Sequence, residues 1–478
     1  MQHGYASVVP GIAGLDGGHL RLSSEELEKL GSRIGGHILC AGDDGWDDAV
    51  LVWNAMVTKL PALVVQPESA RDVAAALAFA RDHRLLLSVK GGGHNIAGTC
   101  IAEDGVMLDM SRMRSVAVDP VARLAHVGPG CLLGDVDRAT QEHGLATTLG
   151  FVSETGVAGL TLGGGFGYLA RRLGWAVDNL DEVEIVTADG EIRIANRDRN
   201  ADLHWAVRGG GGNFGVVTRF TFRLHEVGPT VTGGLVLWSA DRASEVLGAY
   251  RALTQSAPLE LAAAAAVLTA PPAPFVPPKW QGKQAVGMLV CHSGANPDRD
   301  LEPIRALGDP IVDLIGPLPY TAQQTMMDDL DPKGLHQYWK AEFLADLSPA
   351  YLDTFREQAL KATSHHSYSV IFHIGGVLNE RAADDGAVGN RDARFVSGFS
   401  GVWVPGESPD QTAWVQEAWA AIRPFSTGGN YVNFQLAEDD ETRTAAAYGT
   451  NFERLRQVKA AYDPENLFRV NRNIPPAD

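Results

Sequence analysis

Three glycine clusters, each set beside short hydrophobic strands, constrain this chain more than any other feature. The first is S-V-K-G-G-G-H-N-I-A-G-T-C (Ser88–Cys100), delivered by the apolar run Leu85–Val89. The second is T-G-V-A-G-L-T-L-G-G-G-F-G-Y (Thr155–Tyr168), and the third R-G-G-G-G-N-F-G-V-V-T-R-F-T-F (Arg208–Phe222). Glycine lets backbone approach a ligand closely and tolerates positive φ. One such cluster is explained by a tight turn. Three, interleaved with strands, point to a polyphosphate cofactor.

The context tells which cofactor loops these are not. No G-x-x-x-x-G-K-[ST] string occurs, so there is no mononucleotide P-loop. Gly210–Gly215 matches G-x-G-x-x-G, but a Rossmann turn needs a strand before it and a helix after. Here the helical A-D-L-H-W-A-V-R comes first and the strand follows, so the order is inverted.

The flanking elements are readable. Ala62–Gln66 reads as a buried strand stopped by Pro67. Ser69 then caps a helix, with Asp72 in the capping-box position. With Leu85–Val89 this makes a β-α-β unit that ends in the first glycine loop. Hairpins are predicted around Asp119-Pro120 and Asp189-Gly190. After about Val227 an alanine- and proline-rich stretch marks a different domain with surface loops. Near the C-terminus, Thr450–Glu453 reads as a capping box opening a helix that Asp463-Pro464 ends.

A length of 478 residues predicts two or three domains. The net charge of -18 gives no electrostatic footprint for nucleic acid or an anionic membrane. No apolar run approaches the roughly 20 residues of a membrane span. The N-terminal stretch lacks the basic and apolar regions of a signal peptide. Cys40, Cys100, Cys131 and Cys291 form no C-x-x-C pair, which predicts free thiols and a cytoplasmic setting. Nothing resembles H-E-x-x-H around His365, His366 or His373, so no metal site is expected. His94, flanked by glycines, suits a nucleophile or an acid–base group.

K-G-G-G-H-N-I-A-G, T-G-V-A-G-L-T-L-G-G-G-F-G, G-G-N-F-G-V-V-T and the C-terminal Y-G-T-N-F-E-R-L-R-Q-V-K-A-A-Y-D-P-E-N-L-F-R-V-N-R-N-I occur in that order. Together they resemble the berberine-bridge-enzyme-like branch of the vanillyl-alcohol-oxidase flavoproteins. The resemblance runs from about residue 60 to the C-terminus. It implies an α+β fold with a PCMH-type FAD-binding domain in two subdomains over 1–226 (core about 57–226). A substrate domain built on an antiparallel sheet would span 227–426, and 427–478 would return to the FAD domain.

It further implies FAD bonded covalently through His94. The second, cysteinyl anchor of many members falls on Val152, so one link is expected, with Cys131 a buried bystander. Lys90, Gly91, Gly92, Gly93, Asn95, Gly98, Gly150, Thr155, Gly156, Gly159, Gly163, Gly164, Tyr168, Asn213, Gly215, Val217, Tyr448 and Asn451 are the remaining residues assigned to the cofactor. Thr155 falls where the family gates oxygen, and its small side chain permits O2 access. Tyr448 is the expected catalytic base, with Tyr431 and His373 as further catalytic candidates; Trp403, Tyr338 and Lys340 are candidates to shape the pocket. The implied activity is hydride transfer from an alcohol, sugar or amine carbon of a small substrate to flavin, with O2 yielding H2O2. A dehydrogenase with another acceptor, or a non-redox flavin-binding protein, remains open at this point.

Overall fold

The computed structural model describes residues 11–330 and 332–478; the first ten residues of the N-terminal stretch read above for a signal peptide lie outside them. Strands Leu63–Gln66, Val106–Asp109 and Leu87–Lys90 run parallel, with His37–Leu39 antiparallel at the edge. The expected β-α-β unit is present, with Val106–Asp109 inserted between its two strands. Its helix, Ala70–Asp82, opens on Ser69, whose hydroxyl accepts from the Asp72 amide at 3.3 Å. The Asp72 carboxylate completes no capping box. It accepts instead from the amides of Gly35 and Glu68, tying the preceding turn to the helix start.

An antiparallel five-stranded sheet follows, in the order Ile192–Ala195, Leu180–Val186, Val216–Arg223, Leu124–Val127, Val116–Asp119. Both predicted hairpins are adjacent pairs in it.

Residues 230–403 supply a third, antiparallel sheet, whose long strands run Thr230–Ser239, Gln284–His292, Leu261–Thr269, Tyr368–His373, Phe395–Trp403, His336–Leu344. The alanine run, expected to belong with surface loops, is the buried strand Leu261–Thr269 in the middle of this sheet. Alanine is a poor strand former when exposed, but here both faces are covered and small side chains fit between layers. Helices Ala243–Ser256, Pro349–Ala359 and Thr412–Ile422 cover one face, burying Tyr250, Phe355, Val415 and Ile371 in one core. The other face, bearing Val370, Phe372 and Val396, packs against Phe166, Trp175 and Tyr431. Strand alternation therefore sorts each residue to a helix-covered or a cavity side.

The C-terminal helix is Phe452–Tyr462, capped at its end by Asp463. No capping box opens it, because a 3-10 turn, Gly449–Asn451, runs straight into it. Leu455 and Val458 join Leu203, Phe214 and Phe220 in one core, so this segment packs on the glycine-cluster half. Lys459 is fully buried; its Nζ donates to the Asn213 and Phe468 carbonyls at 2.8 and 2.9 Å and to the Asp463 carboxylate at 2.6 Å. Burial lowers its pKa to about 8, and Asp463 opposes that shift. Asp463→Asn strips the charge partner from a buried ammonium, a change that costs about 3 kcal/mol or more. Urea titration should show that loss; an unchanged midpoint would contradict it.

Candidate active site

A cavity of about 330 Å³ lies between the glycine loops and the substrate-domain sheet. Its first wall is the loop after strand Leu87–Lys90, where Gly91, Gly92, Gly93, His94 and Asn95 all line it. The loop meets the second cluster backbone to backbone. A Cβ on Gly92 would sit 2.5 Å from the Gly156 Cα, and one on Gly156 2.4 Å from the Gly92 nitrogen. Only two glycines allow that approach. Gly150, Thr155, Gly159 and Gly163 extend this wall, and Asn213, Gly215 and Val217 bring in the third cluster. Thr155 thus lines the cavity, as does Val152.

His94 is held from two sides. Its ring stacks on Trp53 with centroids 4.2 Å apart and planes 16° off parallel, and Trp53 meets Trp339 edge-on at 5.2 Å. The Trp53 amide donates to the Gly93 carbonyl at 3.0 Å, and the Asn54 side-chain amide bridges the Ile96 and Gln337 carbonyls. The segment before strand Leu63–Gln66 thereby clamps the glycine loop to strand His336–Leu344. Burial lowers the His94 pKa to about 4, so the imidazole is neutral at pH 7. Its Nε2 is buried with no hydrogen-bond partner among the described residues.

Three strands make the opposite wall, mainly through one parity of side chain. Trp339 and Ala341, then Tyr368, Val370 and Phe372, then Val396, Gly398 and Ser400 line the cavity. Tyr431 and Phe434 close the corner. The Tyr431 phenol oxygen accepts from the Gly165 amide at 3.0 Å and from the Asn433 side-chain amide at 2.9 Å. Burial pushes its pKa up to about 12 despite these two donors. Tyr448 also lines the cavity, beside Gly211, but its hydroxyl has no partner among the described residues. Burial raises it as well, and Arg472 pulls the other way.

Several expected residues stand elsewhere. His373 has the wrong parity: on strand Tyr368–His373 it faces the helix side with Ile371, stacked on Phe395 at 5.0 Å. Burial and the charges of Arg171 and Arg394 lower its pKa to about 2, so it is no proton acceptor for the cavity. Lys90 points beneath its loop, to the Ala49 carbonyl at 2.6 Å and Asp109 at 3.5 Å. Gly98 abuts Val57, and Gly164 abuts Trp175. Tyr168 lies behind Phe151, their rings 4.8 Å apart, packed with Cys291 and Tyr320. Asn451 donates to the Ala383 carbonyl at 2.8 Å, pinning a substrate-domain loop.

Tyr338 bonds Glu438, and Trp403 meets His336 edge-on, both away from the cavity. Lys340 borders it, but its ammonium is 2.8 Å from Asp439 and 3.0 Å from Glu438. Cys131 is buried outside the lining with its thiol donating to the Ser115 carbonyl at 3.3 Å, and burial pushes it up to about 11. Trp53, Trp339, Phe372, Phe166 and Asn433 were not singled out from sequence. For Trp339 and Phe372 the only sequence signal is strand alternation, which stays mute until the parity is fixed; Trp53, Phe166 and Asn433 lie off the strands and carry no periodic signal.

The glycine cradle and the partnerless buried imidazole fit a flavin nucleotide. The comparisons agree. Residues 61–196 match the family model described as an FAD binding domain, and 430–475 match "Berberine and berberine like". An FAD-linked oxidoreductase of Dictyostelium discoideum is 32% identical over 436 residues, spanning 89% of this chain and 91% of that protein. The (R)-6-hydroxynicotine oxidase of Paenarthrobacter nicotinovorans is 29% identical over 457 residues, spanning 93% and 97%. The crystal structure of 6-hydroxy-D-nicotine oxidase from Arthrobacter nicotinovorans superposes with a TM-score of 0.80 at 26% identity, covering 93% of this chain and 98% of that one. From cradle to C-terminal helix, the chain belongs to the berberine-bridge-enzyme-like family of FAD-linked oxidoreductases.

Proposed function

We propose that the protein is an oxidase that carries FAD covalently on His94, oxidises an alcohol or amine carbon of a small organic substrate, and uses O2 as electron acceptor. The observation that carries this reading is His94 itself: a buried, neutral imidazole at the end of a strand-fed glycine cradle, with Nε2 free of any described partner. Bound FAD supplies the acceptor for a hydride leaving the substrate carbon and the route for those two electrons to O2, giving H2O2.

The protein's own part is to hold the substrate and take the proton that the hydroxyl or amine releases as the double bond forms. Tyr431 is the better-supported acceptor. Two N–H donors converge on its oxygen and favour the phenolate, whereas Tyr448 has no such donor. The small Thr155 in the cavity wall supports O2 access. A reducing, cytoplasmic setting belongs to the same reading, supported by four buried, unpaired cysteines.

Anaerobic mixing with an oxidisable substrate should bleach the flavin absorbance, and admitting air should restore it with H2O2 in equal amount. Bleaching without recovery in air, but with recovery on adding a quinone, would make the protein a dehydrogenase. A flavin that no substrate bleaches would leave a binding protein.

A further inference from the structure

One side of the cavity is an aromatic corner built from two sheet strands, the second glycine cluster with the loop before it, and the turn at residues 431–434. Phe151 lies parallel to Phe372, with centroids 4.7 Å apart and planes at 22°. Phe166 stands edge-on to Tyr431 at 5.0 Å, Tyr431 edge-on to Phe434 at 4.9 Å, and Trp339 edge-on to Phe434 at 5.5 Å. All six line the cavity. An aromatic guest can join such a cluster by the same offset-stacked and edge-on contacts that hold its rings together.

Charge is missing from the same wall. No Asp or Glu is among the described residues lining the cavity, and its two basic side chains are engaged. Lys340 is bound by Asp439 and Glu438, and Arg472 donates to the Gln435 carbonyl. Glu342, the carboxylate on the lining strand His336–Leu344, points to the opposite face, where it holds Arg443, Trp419 and Ser426. A polyol placed in this corner would bury hydroxyls with few partners, each paying for lost hydration. Asn95, Thr155 and Asn213 line the cavity from the glycine loops; on the ring side the polar lining is Tyr368, Ser400 and Asn433, and the Asn433 side-chain amide already donates to Tyr431.

We infer that the substrate is a low-polarity aromatic compound carrying one oxidisable carbinol, or an amine in its uncharged form, with its ring lodged among Phe151, Phe166, Trp339, Phe372, Tyr431 and Phe434. This specifies the substrate class of the oxidase reading above. The binding it claims, however, is separable from turnover.

The test uses the FAD-loaded protein and two non-oxidisable or slow probes, 2-naphthol and xylobiose, titrated while tryptophan fluorescence and flavin absorbance are followed. 2-Naphthol should bind at least about 100-fold more tightly than xylobiose. Phe372→Leu and Phe166→Leu, which keep an apolar side chain but remove a ring, should each weaken naphthol binding about tenfold while retaining the flavin. Anaerobic mixing with cinnamyl alcohol then reads reduction separately. Naphthol binding without reduction by any aromatic alcohol or aromatic amine would sink the oxidase reading and leave the binding class standing. Equal or tighter xylobiose binding, or naphthol binding indifferent to both ring deletions, would overturn the inference.

Discussion

His94→Ala should leave a polypeptide that carries no flavin after denaturation, whereas the wild-type chain should retain one FAD per molecule, both read by intact mass. The effect should be all-or-none because His94 lines the cavity as a neutral imidazole, whereas Cys100, the cysteine among the described lining residues, has its thiol pushed up to about 11 by burial. The His94 imidazole is neutral, stacked on Trp53 and without a described partner at Nε2. The family's alternative anchor position holds Val152, whose side chain has no nucleophile. Cys131 sits outside the lining, its thiol held protonated by burial and bonded to Ser115. Cys131→Ala should therefore keep its adduct. A retained adduct in the His94→Ala protein, or a lost one in Cys131→Ala, would refute the assignment; two adducts on the wild type would reveal a second anchor.

Tyr431→Phe should slow anaerobic flavin reduction by about 10²-fold, the usual contribution of a positioned proton acceptor, with the flavin still attached. Tyr448→Phe should change the rate by less than about tenfold. The pH profile adds a separate signature. Burial sets the Tyr431 pKa at about 12, above the ordinary phenol range, so the phenolate is a minor species near neutrality. Reduction should then accelerate about tenfold per pH unit on the acid side of that value, with no plateau before it. The Tyr431→Phe protein should lose this slope. If Tyr448→Phe showed the larger defect instead, the proton would leave by the Gly211 side of the cavity.

The clearest boundary between what was legible and what was not runs through the strand Tyr368–His373. Its apolar content marks it as a strand, and its histidine marks it as interesting. Yet a one-residue change of parity exchanges the cavity face for the helix face. With both faces buried, no polar alternation betrays the choice, and the structure sends Phe372 inward and His373 outward. The alanine run 262–266 is a similar case. Its propensity argues against a strand, and burial between two layers overrides it.

By itself the sequence determined the cofactor cradle: its glycines, its histidine, the strand that delivers them, and the inverted order that rules out a Rossmann turn. Those are local requirements of backbone, met within a few residues of one another. The tertiary structure decided what faces the cradle. Trp53 reaches His94 from more than 40 positions away and Tyr431 reaches Gly165 from 266 away, through contacts no local period encodes. Proximity across such separations follows from how sheets and helices pack their apolar faces, so it appears only once every layer is in place.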